Sequence, residues 1–124
     1  PHQAWYNLAL AQSSAGHTDD AVQSLTESVR LRPTFCDGYY GIGQLRSQQG
    51  RYEEAEQALT RALTAEAACG TAPTLQGAWR LRAEARQHLG HTQDATADFE
   101  RCIELGPETE DGVRCQAVLD GGPT

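Results

Sequence analysis

One segment is written three times along this chain. GHTDDAVQSLTESVRLRP, Gly16 to Pro33, returns as GHTQDATADFERCIELGP, Gly90 to Pro107, and in weaker form as GRYEEAEQALTRALTAEA, Gly50 to Ala67. Such repetition makes each copy a small structural unit whose apolar face only a neighbouring copy can cover. With the copies aligned on their glycines, Ala21, Ala55 and Ala95 stand five residues later, and Leu25, Leu59 and Phe99 four beyond those. Pro33, Ala67 and Pro107 fall 12 residues after the alanines, so two of the three copies close on the residue that cannot continue a helix. Eleven residues before each glycine stands an aromatic: Trp5, Tyr39 and Trp79.

Each mark has a mechanical reason. Trp5, Leu8, Ala9 and Gln12 follow the i, i+3, i+4, i+7 spacing of one helix face, so the first three are expected to seal against neighbouring helices. Small residues at Ala9, Gly43 and Ala83 let helix axes approach closely. Ala21 plays the same part in the second helix, with Leu25, Leu59 and Phe99 filling the space beside the crossing. Gly16, Gly50 and Gly90 punctuate the turn, where a left-handed backbone costs glycine little. Thr18 and Thr92 read as N-caps, with Asp19, Asp20 and Asp94 favourably placed in the first turn.

These marks resemble the tetratricopeptide repeat, whose pattern is W-x2-L-G-x2-Y, then A-x3-F, then P in about 34 residues of helix, turn, helix. The resemblance covers roughly residues 2–107 and implies an all-α solenoid of three such repeats, at about 2–35, 36–69 and 76–109, in a single domain over 1–124. The family's tyrosine near the end of the first helix is replaced by Gln12, Arg46 and Arg86, and its leucine in the third copy by Arg82, which predicts looser or wetter packing there. Trp5 to Tyr39 is 34 residues and Tyr39 to Trp79 is 40, so an insertion at about 68–75 separates the second and third copies. Its Gly70 and Pro73 flank a stretch without helical periodicity, which predicts the most mobile internal segment of the chain. A capping helix is expected at about 109–119, with Val113, Ala117 and Val118 as its apolar face and Gly121 and Gly122 as its stop.

Charge and motif content narrow the chemistry. Net charge is −7 and the ten basic residues, all arginine, are scattered, a poor footprint for a phosphate backbone, so nucleic acid is not an expected partner. No apolar run approaches the roughly 20 residues of a membrane span, and nothing resembles a secretory leader, which favours the cytoplasm. The chain opens on Pro1 and contains no Met, pointing to a piece of something longer. Cys36, Cys69 and Cys102 are spaced by 33, but the first precedes a first helix, the second lies in the insertion and the third in a second helix. Without a C-x-x-C pair, four cysteines allow three connectivities, and free packed thiols are expected over a bridge. His17 and His91 occupy equivalent turns a repeat or more apart and read as solvated, as does His88 near Gly90. No nucleophile elbow, phosphate loop or zinc-protease motif is present, so no catalytic residue, cofactor or metal is assigned.

The remaining candidate is the surface lined by the first helices. One residue past each aromatic come Tyr6, Tyr40 and Arg80, four further on Leu10, Gln44 and Glu84, and three more Ser13, Ser47 and Gln87. Spacings of four and three share a helix face, so these nine form a stripe suited to a peptide. Tyr6 and Tyr40 are expected to stand in the groove with little packing role, while Trp5 and Tyr39, about 100° round the helix, turn into the core. The resemblance implies a non-catalytic scaffold for a protein or peptide partner; the alternative is a targeting or oligomerising module of a larger enzyme. Some members of the family clamp the C-terminal carboxylate of heat-shock chaperones with Lys and Asn. The corresponding places here read Tyr6 and Leu10, Gly41, then Arg80 and Glu84, so chaperone tails are not expected to bind.

Overall fold

The computed structural model describes residues 1–121. Its α-helices pair as α1 (His2–Ser14) with α2 (Thr18–Leu31), α3 (Cys36–Gln48) with α4 (Tyr52–Thr64), and α5 (Gln76–His88) with α6 (Thr92–Leu105), followed by α7 (Glu110–Leu119). Among the described residues there is no strand, and the architecture is an all-α solenoid of three helical hairpins closed by a capping helix. Three buried clusters hold it. Ala9, Ala21, Val22 and Leu25 of the first hairpin are joined by Leu45 of α3; Ala55, Leu59 and Leu63 of α4 by Ala78 and Ala85 of α5; Ala95, Phe99 and Cys102 of α6 by Cys115 of α7. Each hairpin thus completes its core with the first helix of the next, the nearest-neighbour logic of a solenoid.

The hairpin turns are built alike. Gly16, Gly50 and Gly90 hold φ of +84°, +73° and +83°. Each turn carries the same pair of bonds, for example Gly16 N–H to Ser13 O (3.0 Å) and His17 N–H to Gln12 O (2.8 Å), satisfying carbonyls at the end of the helix. Because the chain is already helical at Thr18 and Thr92, the N-cap places fall to His17 and His91, and neither threonine caps as expected. Thr109 does cap: its Oγ1 accepts from Gly112 N–H at 3.0 Å at the start of α7. Val113, expected on the buried face of α7, is 57% exposed. Gly121 has φ of +80°, whereas Gly122 lies outside the described residues.

Close crossings occur where small residues allow them. Ala21, Ala55 and Ala95 are at most 1% exposed, and a methyl group added at Gly43 would overlap Leu59. The arginines that stand where the repeat pattern has leucine and tyrosine tighten the third copy instead of loosening it. Arg82 in α5 donates from Nε and Nη2 to the two oxygens of Asp98 in α6 at 2.9 and 2.8 Å. Arg86 adds a bond to Asp98 at 2.9 Å and reaches Glu56 of α4 at 2.8 Å, while Arg82 meets Thr60 of α4 at 3.2 Å. Asp98, 3% exposed, therefore anchors two arginines that also grip the preceding copy.

The cysteines correct the sequence reading outright. Cys36 pairs with Cys69 and Cys102 with Cys115, and no described cysteine is free. Helix-face reasoning missed them because each bridge joins different elements. Pairing α3 with α4 returns the chain to the start of α3, and α7 packs across α6, leaving Cα separations of 6.5 and 6.4 Å, within disulfide reach. The first bridge also pins the insertion, which forms 3₁₀ turns at Ala67–Thr71 and Pro73–Leu75. Gly70 O accepts from Trp79 Nε1 at 3.1 Å, and Leu75 is buried in the second cluster, so the expected structureless link is a packed one.

The first aromatic is a second correction. Trp5 is 38% exposed and Leu8 45%, whereas the first helices of the second and third copies have α2 and α4 packed against them. Tyr6 and Tyr40 are half-buried instead: Tyr6 packs on the first cluster with its ring edge-on to Phe35 at 5.2 Å, and Tyr40 packs on the second.

Three stability outcomes follow from this architecture. Reducing the disulfides should lower stability by roughly 2–4 kcal/mol per bridge, seen in calorimetry as a lower thermal midpoint; an unchanged midpoint would mean free thiols. Asp98→Ala strands two buried-side guanidinium groups and should cost about 3–5 kcal/mol in denaturant unfolding. Tyr40→Ala should cost roughly 2–3 kcal/mol against less than about 1 for Trp5→Ala, reversing the order that the sequence implied.

Candidate functional site: the groove of the first helices

The groove runs over α3, α5 and α7 and opens into a cavity of about 600 Å³. Leu81 and Ala85 of α5 with Ala117 and Val118 of α7 supply its apolar lining. Of the nine sequence-selected positions, the cavity brings together Ser47, Glu84 and Gln87. Ser47 Oγ is buried beside it without a hydrogen-bond partner among the described residues. A buried hydroxyl without a partner costs about 1–3 kcal/mol, so a ligand polar group reaching it would recover that cost.

The other selected positions lie outside this cavity. Arg80 donates from Nε to Asp111 of α7 at 2.6 Å and from Nη1 to Glu84 at 3.0 Å, tying α5 to the capping helix. Tyr40 faces the same cluster; burial, then the nearby Asp111 carboxylate, raise its phenol above the usual value, so the hydroxyl keeps its proton. Tyr6 and Ser13 on α1 are partly buried, whereas Leu10 and Gln44 are exposed along the groove.

Tyr52, His88 and Arg114 also line the cavity and were not selected from the sequence. Tyr52 opens the second helix of its copy, off the ladder of first helices, and its ring stacks on His88 at 4.0 Å with a 3° interplanar angle. Arg114 and Val118 were legible. Stepping 34 residues on from Arg80 and Glu84 reaches both, continuing the stripe onto α7. Among the described residues no group of three or more His, Cys, Asp or Glu is placed to hold a metal, and no helix is long and apolar enough to cross a membrane.

Comparison with solved structures places this geometry in context. The TPR domain of Arabidopsis OM64 superposes with a TM-score of 0.82 at 20% identity, over 97% of this chain and 94% of that one. The second TPR domain of human RPAP3, in complex with the HSP70 peptide SGPTIEEVD, gives a TM-score of 0.81 at 19% identity, over 97% and 98%. The Yersinia enterocolitica type III secretion translocator chaperone SycD gives 0.77 at 18%, over 97% and 88%. At these identities the likeness shows the fold alone. No curated protein sequence matches. A tetratricopeptide repeat family model matches residues 6–73 and again 40–109, and with the repeated turns, crossings and hairpin pairs described above this chain belongs to the tetratricopeptide repeat family.

Proposed function

We propose that the chain is a non-catalytic scaffold that holds a peptide segment of a partner protein in the groove over α3, α5 and α7. The observation that carries this reading is the cavity of about 600 Å³, apolar below and edged by the orphaned hydroxyl of Ser47. That volume admits a large side chain, and an apolar anchor beside a hydrogen-bonding backbone suits such a surface. The stripe of Tyr6, Leu10, Ser13, Tyr40, Gln44, Ser47, Arg80, Glu84 and Gln87 would flank the peptide along its length. Peptide complexes among similar folds support the kind of partner.

Charge argues against acidic C-terminal tails as the ligand. Arg80 is already held by Asp111 and Glu84, and Glu84 would repel a carboxylate placed beside it. Both disulfides favour an oxidising compartment over the cytoplasm.

Displaying a random peptide library against the chain supplies probes whose affinities calorimetry can follow. Ala117→Trp, which fills the cavity, should weaken selected peptides tenfold or more, about 1.4 kcal/mol, with the fold intact by circular dichroism. The peptide SGPTIEEVD should show no saturable binding in the micromolar range. Selected peptides that bind Ala117→Trp unchanged would overturn the groove assignment.

A further inference from the structure

The three copies can be compared with one another, and one position breaks their pattern. In the second copy Arg61 of α4 lies over the Tyr39 ring, 5.0 Å from its centroid, and donates to the phenol oxygen at 3.1 Å. In the third, Arg101 of α6 lies over the equivalent Trp79 at 5.8 Å. The matching residue of the first copy is Glu27. A carboxylate cannot stack favourably on an indole face, whose quadrupole attracts cations. Glu27 pairs instead with Arg30 on the exposed side of α2, and Trp5 keeps an open ring.

A second difference runs along the same face. Ile42 and Leu45 of α3 pack into the cluster of the first hairpin, and their third-copy equivalents Arg82 and Ala85 are covered by α4. The first-copy equivalents Leu8 and Ala11 are exposed. Trp5, Leu8 and Gln12 of α1, with Asp20, Gln23 and Glu27 of α2, line an open cavity of about 390 Å³. An apolar strip here runs beside an acidic one, in the place where α2 seats on α3 and α4 on α5.

We propose that this end of the solenoid docks a basic amphipathic helix of a partner protein. Apolar side chains at i, i+3 and i+7, the spacing of Val22, Leu25 and Val29 on α2, would cover Leu8 and Ala11. An arginine or lysine on its flank would lie over Trp5 and pair with Glu27, supplying the cation that the other copies carry themselves. The exposed Glu27–Arg30 pair is weak and yields readily to it. A second copy of this chain is a poor occupant by symmetry, because it would set Asp20 and Glu27 against the same acids.

The surface is separate from the groove, so its test is independent of the peptide-binding reading. The probe is a capped, alanine-based helical peptide with leucines at i, i+3 and i+7 and flanking arginines; its control carries glutamates in their place. Nuclear magnetic resonance of the indole N–H groups, assigned with Trp5→Phe, reports each tryptophan separately. The arginine peptide should shift the Trp5 signal saturably and leave Trp79 unmoved, and the glutamate peptide should shift neither. Glu27→Arg, which restores the pattern of the other copies, should weaken that binding at least tenfold and raise the thermal midpoint of the free protein. Equal binding of both peptides, no saturable shift at millimolar peptide, or unchanged affinity in Glu27→Arg would overturn the proposal. So would dimers in sedimentation that Glu27→Arg dissolves, since they would make a second copy the occupant.

Discussion

Close helix crossing is the constraint on which this molecule rests. Ala21, Ala55 and Ala95 put only a methyl group at the point where paired helices meet, and Gly43 lets Leu59 lie directly against backbone. A larger residue at any of these points would lever its hairpin open, since packed interiors do not absorb extra volume cheaply. Everything outward follows from that approach: the clusters that each hairpin shares with the next first helix, the stacking of α3, α5 and α7, and the groove they line.

Apolar burial alone is thin in a chain this small, and two other devices share the holding. Asp98 gathers Arg82 and Arg86 in good geometry and, through Thr60 and Glu56, ties the third copy to the second. A buried ion pair of this kind is a costly way to add stability, but it permits few alternative arrangements, because any shift strands a desolvated charge. The disulfides act on the unfolded chain, and they sit where packing is least regular: at the insertion and at the capping helix. The capping helix then closes the groove through Arg80 and Asp111, so the element that ends the solenoid also shapes its candidate site.

The two surfaces put forward for binding differ in physical character. The groove offers a cavity with an orphaned hydroxyl, an apolar floor and Glu84 and Arg114 at its edge, which suits an extended segment with an apolar anchor. The leading face offers an aromatic ring, an apolar strip and an acidic rim, which suits a helix bearing cations. A scaffold with both could hold two segments of one partner, or two partners, without either competing for the same residues.

The sequence by itself determined the repeat, its turns and its crossings. Gly16, Gly50 and Gly90, with the alanines five residues on, act through local backbone freedom and side-chain size, which depend little on the rest of the chain. Part of the groove was legible for the same reason: Glu84 and Gln87 share a face of α5 by spacing alone, and Ser47 stands at the position of α3 that matches Gln87. Tertiary structure decided what depends on neighbours. Whether Trp5 is buried turns on a helix in front of it, not on its own spacing, and Arg82 reads as a misfit until Asp98 of another helix is brought beside it. The disulfides were hidden for the same cause. Cys36 and Cys69 lie 33 residues apart on different elements, and only the return of α4 along α3 closes that distance to 6.5 Å.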